Sequence, residues 1–266
     1  MSESIKVRAS SVSAWLDCPY RASAIYLEGM RTPTSLAATL GKAIHKGTAL
    51  FDTERLDGSS GSVGAAMDAA AEAMDKPDEE VALEPEDKPA QSLDVAVSLT
   101  QKYCEDFAPG IEYAAVELTV DALELTDLGI TLTGTTDRVR RSHDQLGIAD
   151  LKSGKSAVSA DGRCKTAGHA VQLGVYELIA EVGMGVKMHA PAAIIGLQTN
   201  LTPDKQRIAL GEVWRPSETL TGDETHPGIL PTLAKFVKGE VMYGNPKSYL
   251  CSGKFCPRYS TCFFRR

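Results

Sequence analysis

Apolar residues in the first third of the chain recur at helical spacing. Leu36 to Asp52 sets Leu36, Leu40, Ile44, Leu50 and Phe51 along one stripe, which predicts a helix. Ala65 to Met74 is alanine-rich and helical by pattern, and Leu93 to Phe107 predicts a further helix stopped by Pro109-Gly110. Upstream, Ser10, Ser11 and Ser13 offer caps to a short helix through Asp17, Pro19 breaks or restarts it, and Gly29 ends the next. The period then changes. Leu118 to Leu125 and Ile130 to Val139 alternate, Ser142-His143-Asp144-Gln145 is turn-like, and Leu146 to Leu151 resumes an apolar strand, so this stretch reads as a hairpin. Beyond it, His169 to Val182 predicts a strong helix through Ala170, Leu173, Val175, Tyr176, Leu178, Ile179 and Val182. Ala192 to Thr199 and Arg207 to Val213 predict strands joined by a turn at Thr202-Pro203-Asp204. Ile229 to Val241 predicts an amphipathic helix stopped by Gly244-Asn245-Pro246.

Composition adds bounds rather than identity. With 266 residues, 43% hydrophobic and 24% charged, the chain suits one large globular domain or a domain with an appendage. No apolar run reaches the roughly 18 residues of a bilayer span, and Met-Ser-Glu-Ser-Ile-Lys lacks the regions of a signal peptide. A cytoplasmic protein with no membrane partner is the expectation. The net charge of −7 opposes nucleic-acid binding on bulk charge. The charge is uneven, however. Asp68 to Lys88 is acidic, and Lys76 to Pro89, overlapping it, reads as a loop or insertion with three prolines. Arg138 to Arg141, Lys152 to Lys155 and the last twenty residues are basic, which is compatible with a local basic groove.

The chemistry concentrates in the hairpin. Gly134-Thr-Thr-Asp137 and Ile148-Ala-Asp150-Leu-Lys152 place two carboxylates and an ammonium at the ends of neighbouring strands. Asp150 and Lys152 are two apart and share a face. An Asp-x-Lys tripeptide is common on surfaces, but the apolar approach Gly147-Ile-Ala would bury Asp150 unless something pairs with it. Two carboxylates hold a hard divalent cation, and a lysine beside them steadies a water or a phosphate oxygen. Gly41 and His45 are four apart on one helix face, where the glycine lets a neighbouring backbone approach the histidine; such a histidine is ordinarily structural. Gln172 and Tyr176 also share a face, either as core and solvent positions or both turned toward the lysine. Six cysteines in a cytosolic chain are thiols or metal ligands rather than disulfides. Cys104 is expected as a small buried apolar residue, and Cys164 lies in a polar loop with no partner spacing. Cys18, Cys251, Cys256 and Cys262 would form a closed site for an iron–sulfur cluster or zinc, tying the two ends of the chain together.

Taken in order, these pieces resemble the RecB-like branch of the PD-(D/E)XK nucleases, in particular its four-cysteine members: AddB-type and CRISPR-associated nucleases and phage RecB-like exonucleases. Ser11-Val-Ser-Ala-Trp-Leu-Asp-Cys18-Pro is similar to the family's opening segment, and Gly41-Lys-Ala-Ile-His45 to its Gly-x-x-x-His helix. Gly134 to Asp137, Asp150 to Lys152 and Gln172-Leu-Gly-Val-Tyr176 resemble its Gly-x-x-Asp, Asp/Glu-x-Lys and Gln-x-x-x-Tyr motifs. The tail from Asn245 to Cys262 looks like the phage type; Cys251-x4-Cys256 is spaced more widely than in CRISPR-associated relatives.

The resemblance implies an α/β restriction-endonuclease-like core, a mixed β-sheet flanked by helices. It divides a single domain into a mainly helical part (1–110), a catalytic core (111–215) and a C-terminal helix with a cysteine tail that pairs with Cys18 (216–266). It implies Mg²⁺ or Mn²⁺ on His45, Asp137, Asp150 and the Leu151 carbonyl, Lys152 orienting water, Gln172 and Tyr176 in support, and Glu117 as a minor member. A 4Fe–4S cluster, with structural zinc as the alternative, is implied on Cys18, Cys251, Cys256 and Cys262. The implied activity is DNA exonuclease, resecting single- or double-stranded ends in phage or bacterial recombination or replication. A single-strand annealing or recombinase partner and an oligomer stay open. So do two other readings, a non-catalytic DNA-binding subunit and a CRISPR adaptation nuclease.

Overall fold

The computed structural model describes residues 4–265. In chain order it runs β1 (Ile5–Arg8), α1 (Val12–Asp17), α2 (Pro19–Tyr26), β2 (Thr34–Ser35), α3 (Leu36–Leu56), α4 (Val63–Asp75), β3 (Val81–Ala82) and α5 (Pro89–Lys102). Then follow β4 (Glu112–Leu125), β5 (Ile130–Ser142), β6 (Gln145–Gly154), α6 (Ala170–Met184), β7 (Ala192–Gln198), β8 (Arg207–Val213), α7 (Pro216–Thr221) and α8 (Leu230–Val237). The main sheet is mixed. β4 and β6 pair antiparallel with β5, β7 runs parallel to β6, β8 returns antiparallel, and β1 lies parallel to β5. A mixed sheet flanked by helices is the architecture expected.

Each face of the sheet has its own core. Val7, Trp15, Ile130, Leu132, Ile148, Ile179 and Phe236 join the sheet to α1, α6 and α8. Ile44, Phe51, Leu99, Tyr103, Leu151 and Ile195 join the opposite face to α3, α4 and α5. Successive residues of β6 divide between them, Ile148 to the first and Ala149 and Leu151 to the second, as strand alternation requires. Cys104 is buried, as expected.

The topology creates a fork. β4 runs along β5 from Ile130 to Arg141. A strand has two edges, so β1 and β6 must share the other one. β1 occupies it from Ile130 to Thr133, and β6 takes it up from Arg138 onward. Residues 134–137 lie between them with no strand on that side. The register pairs Arg138 with Ala149; one more step would set Asp137 directly opposite Asp150. Like charges directly opposite each other destabilise a ladder, and the strands part at this point.

Several elements differ from the sequence reading. β1 and α7 were not anticipated. α3 runs one turn beyond Asp52, and α5 begins at Pro89, whose missing N–H suits a first helical turn. α8 ends at Val237, short of Val241, because Gly239 takes a positive φ of 75° and the chain folds back on Lys235. Ser11 stands at the start of α1, but its hydroxyl donates to the Arg8 carbonyl (2.7 Å) instead of capping. Leu50 and Val182, placed on apolar stripes, are exposed. The basic run at 138–141 is no groove: Arg138 and Arg140 are buried in ion pairs with Asp52 and Glu212.

Candidate active site

The fork gathers the residues that the sequence singled out. Asp150 and Lys152 sit two apart on β6, with the Lys152 ammonium 2.6 Å from Asp150 Oδ2. Asp137, at the last unpaired position of β5, accepts the backbone N–H of Leu151 on Oδ2 (2.8 Å). From α3, His45 Nε2 lies 3.0 Å from the Leu151 carbonyl and its Nδ1 lies 3.5 Å from Asp137 Oδ2. The carbonyl can only accept, so Nε2 carries the proton in this arrangement. Helix and strand come this close because of Gly41. A β-carbon there would stand 3.0 Å from Ser153 Oγ on β6.

Asp150 is 1% exposed, so its charge is expensive. Burial first, and then the neighbouring Asp137 carboxylate, hold its carboxyl above the ordinary range, with Lys152 pulling the other way. Lys152 approaches Oδ2 of Asp150 to 2.6 Å, and Oδ1 has no hydrogen-bond partner. A buried carboxylate oxygen left in this condition, beside a second carboxylate, a carbonyl and an imidazole, suits a hard divalent cation. Among the described residues, no three His, Cys, Asp or Glu side chains stand close enough to coordinate an ion as they are.

Tyr176 is buried on α6, and Gln172 Nε2 donates to its hydroxyl at 3.0 Å. Burial, followed by the charges of Asp150 and Asp137, raises the Tyr176 phenol well above its usual range. Its ring approaches the unpaired stretch of β5, with Cε1 3.3 Å from where a β-carbon on Gly134 would stand. The tyrosine thus takes the core position considered for it, and Gln172 is half-buried and bonded to its hydroxyl.

A second group beneath the site was not legible in the sequence. Arg138, fully buried, donates through Nε to Asp52 Oδ2 (2.8 Å), and its other nitrogens reach the Asp137 carbonyl (2.7 Å), Glu117 Oε1 (3.2 Å) and Thr48 Oγ1 (3.4 Å). Tyr103 donates to the same Asp52 oxygen (2.7 Å) and meets the Tyr113 hydroxyl at 2.8 Å. Asp52 lies on α3 together with His45, so one helix anchors both the imidazole and the arginine that grips the backbone of Asp137. Glu117 follows Val116, which pairs with Arg138, and sits at a left-handed φ of 49°. Burial and the charge of Asp137 raise its carboxyl. The only signals for this cluster were an acid on the apolar stripe of a helix and an arginine at the head of a basic run, with nothing in the sequence to link them.

At the other end of the fold, Cys18, Cys251, Cys256 and Cys262 line one cavity with Tyr20, Asn245 and Phe264, and all four are free thiols. The backbone N–H of Asn245 donates to Cys18 Sγ (3.4 Å). Burial, aided by Cys18 and Cys262, raises the Cys256 thiol. Four sulfurs on one small cavity fit a thiolate-held group in chemistry, although they do not stand at coordinating distance.

The profile of the PD-(D/E)XK nuclease superfamily matches residues 7–263. The chain belongs to the PD-(D/E)XK nuclease superfamily. Within this nuclease the match runs from β1 through the cysteine tail, so both belong to the matched region and are not additions to it. No curated protein matches the chain significantly. Among the described residues of the nuclease, no helix is long and apolar enough to cross a membrane.

Proposed function

We propose that the chain is a metal-dependent DNA exonuclease of the RecB-like branch, hydrolysing phosphodiester bonds during processing of phage or bacterial DNA ends. The observation that carries this reading is the convergence at the fork of Asp137, Asp150, Lys152, the Leu151 carbonyl and His45, with Asp150 buried and its Oδ1 without a hydrogen-bond partner. When bound, Mg²⁺ or Mn²⁺ polarises the phosphate and acidifies its water. His45, Asp137, Asp150 and Leu151 would hold it. The Lys152 ammonium, set beside Asp150, orients the attacking water and meets the charge that develops on the phosphate. Gln172 fixes the Tyr176 hydroxyl against the same side. The ordered motif set and phage-type tail support end-directed digestion.

Asp150→Ala or Lys152→Ala is expected to lower Mg²⁺-dependent degradation of linear DNA by at least about a thousandfold, with the circular dichroism spectrum unchanged. A closed circle should resist the wild-type protein. Wild-type rates in either variant would overturn the assignment, and digestion of the circle would overturn its exonuclease part. The cysteine cavity supports a 4Fe–4S cluster. Anaerobic purification should give a brown protein with about four irons per chain, whereas colourless protein with zinc would assign a structural zinc site.

A further inference from the structure

Two grooves meet at Arg8, outside the catalytic residues. One, of roughly 460 Å³, is lined by Arg8, Ser10, Thr119, Thr133, Thr135 and Tyr176. It ends at the fork, because Gly134 and Thr135 in its lining belong to the stretch of β5 left unpaired between β1 and β6. Among the described residues its walls carry hydroxyls and one guanidinium, with no carboxylate. Thr119 and Thr135 are held together, Oγ1 to Oγ1 at 2.9 Å. The second groove, of roughly 570 Å³, continues from Arg8 past Lys6, Tyr26 and Arg31. Of its two acids, Glu79 is engaged by Lys42 (2.7 Å) and Thr34, which leaves three cations facing Glu80.

Lys6 and Arg8 alternate with buried Val7 on β1, so both point outward from the same face of an edge strand. Tyr26 is 43% exposed and is backed by the buried Trp15 ring, with centroids 6.3 Å apart. That backing fixes a ring with a free side in the groove. A line of cations and hydroxyls beside a fixed aromatic ring suits a phosphate backbone whose bases are unstacked. A duplex keeps its bases stacked and would leave Tyr26 without a partner.

We propose that this double groove binds a single polynucleotide strand and delivers it to the fork, with Arg8 and the threonine hydroxyls on phosphates and Tyr26 stacking on a base. The proposal rests on the nuclease reading and assigns the strand a path along β1. It is tested with fluorescent oligothymidylate and the full chain carrying Asp150→Asn, so that the probe survives. Arg8→Gln should weaken binding about tenfold and reduce the salt dependence by about one phosphate contact. Tyr26→Leu should weaken it about five- to tenfold, with Tyr26→Trp restoring it. In the otherwise wild-type chain, Arg8→Gln should slow oligonucleotide digestion and leave hydrolysis of bis(p-nitrophenyl) phosphate, which has no strand to hold, unchanged. Unaltered oligothymidylate affinity in the Arg8→Gln, Tyr26→Leu double variant, with its melting temperature preserved, would overturn the proposal. So would equal affinity of the parent for a blunt duplex. Failure of the nuclease reading would show separately, as wild-type protein that hydrolyses neither substrate.

Discussion

Arg138 illustrates how a charged residue can be structural beside the residues proposed for catalysis. Its guanidinium is fully buried, its Nε is committed to Asp52, and one of its terminal nitrogens holds the carbonyl of Asp137. Removing one partner strands the other charge. Arg138→Met or Asp52→Ala alone should therefore destabilise the fold by about 3–5 kcal/mol, while Arg138→Met combined with Asp52→Leu should recover much of that loss; urea denaturation measures both. Two tyrosines beside the pair, Tyr103 and Tyr113, and Tyr176 on the other face of the sheet make a pH prediction. Burial first raises the phenols of Tyr103, Tyr113 and Tyr176 well above their ordinary value. A group raised in the folded state contributes stability that is complete below its unfolded pKa of about 10 and is lost as pH rises through the folded value. Native protein should thus keep these three phenols protonated past the pH at which a free tyrosine ionises. Their tyrosinate absorbance should appear only together with alkaline unfolding. The sequence made Asp137, Asp150 and Lys152 legible because strand alternation fixes which side chains share a face. Asp52 and Arg138 were opaque because no period relates positions that meet only through tertiary packing.

Among the elements, those with a long regular period were readable and those defined by their neighbours were not. α3 and the hairpin of β5 and β6 carry enough apolar repeats to declare themselves, and even the turn at His143-Asp144 was placed correctly. β1 has four residues and gains its identity only by docking on β5, and α7 has six that begin after Arg215 in a left-handed conformation. Glycines show what the helices require. A β-carbon on Gly47 of α3 would lie 2.5 Å from the Ala66 carbonyl oxygen and 2.8 Å from Thr100 Cγ2. Gly47→Ala should push α4 and α5 away from α3 and cost about 1–3 kcal/mol, read as a lower melting temperature with the rate per folded molecule retained.

At the scale of the whole molecule, the tail closes on the first helices. Asp17 accepts Ser248 Oγ (2.6 Å) and Asn245 Nδ2 (3.2 Å), Tyr243 donates to the Leu16 carbonyl (2.9 Å), and Arg258 pairs with Glu28 and stacks over Tyr20. Asp17→Ala should open residues 243–262 to limited proteolysis while the core melts within about 1 kcal/mol of wild type, since that loss is local. The cysteine motif made the joining of the two ends legible, whereas the polar clasp around it was not, because single Asp, Asn and Ser residues carry no pattern. The shared edge of β5 also has a consequence in time. β1 can be seated only after β5 exists, and the clasp joins Asp17 to Ser248 across 231 positions. Contacts of such separation form late, after the loop between them has been closed. The clasp is therefore expected late in folding, once residues 243–262 exist, whereas the β5–β6 hairpin that carries Asp137, Asp150 and Lys152 closes a short loop and can form before it.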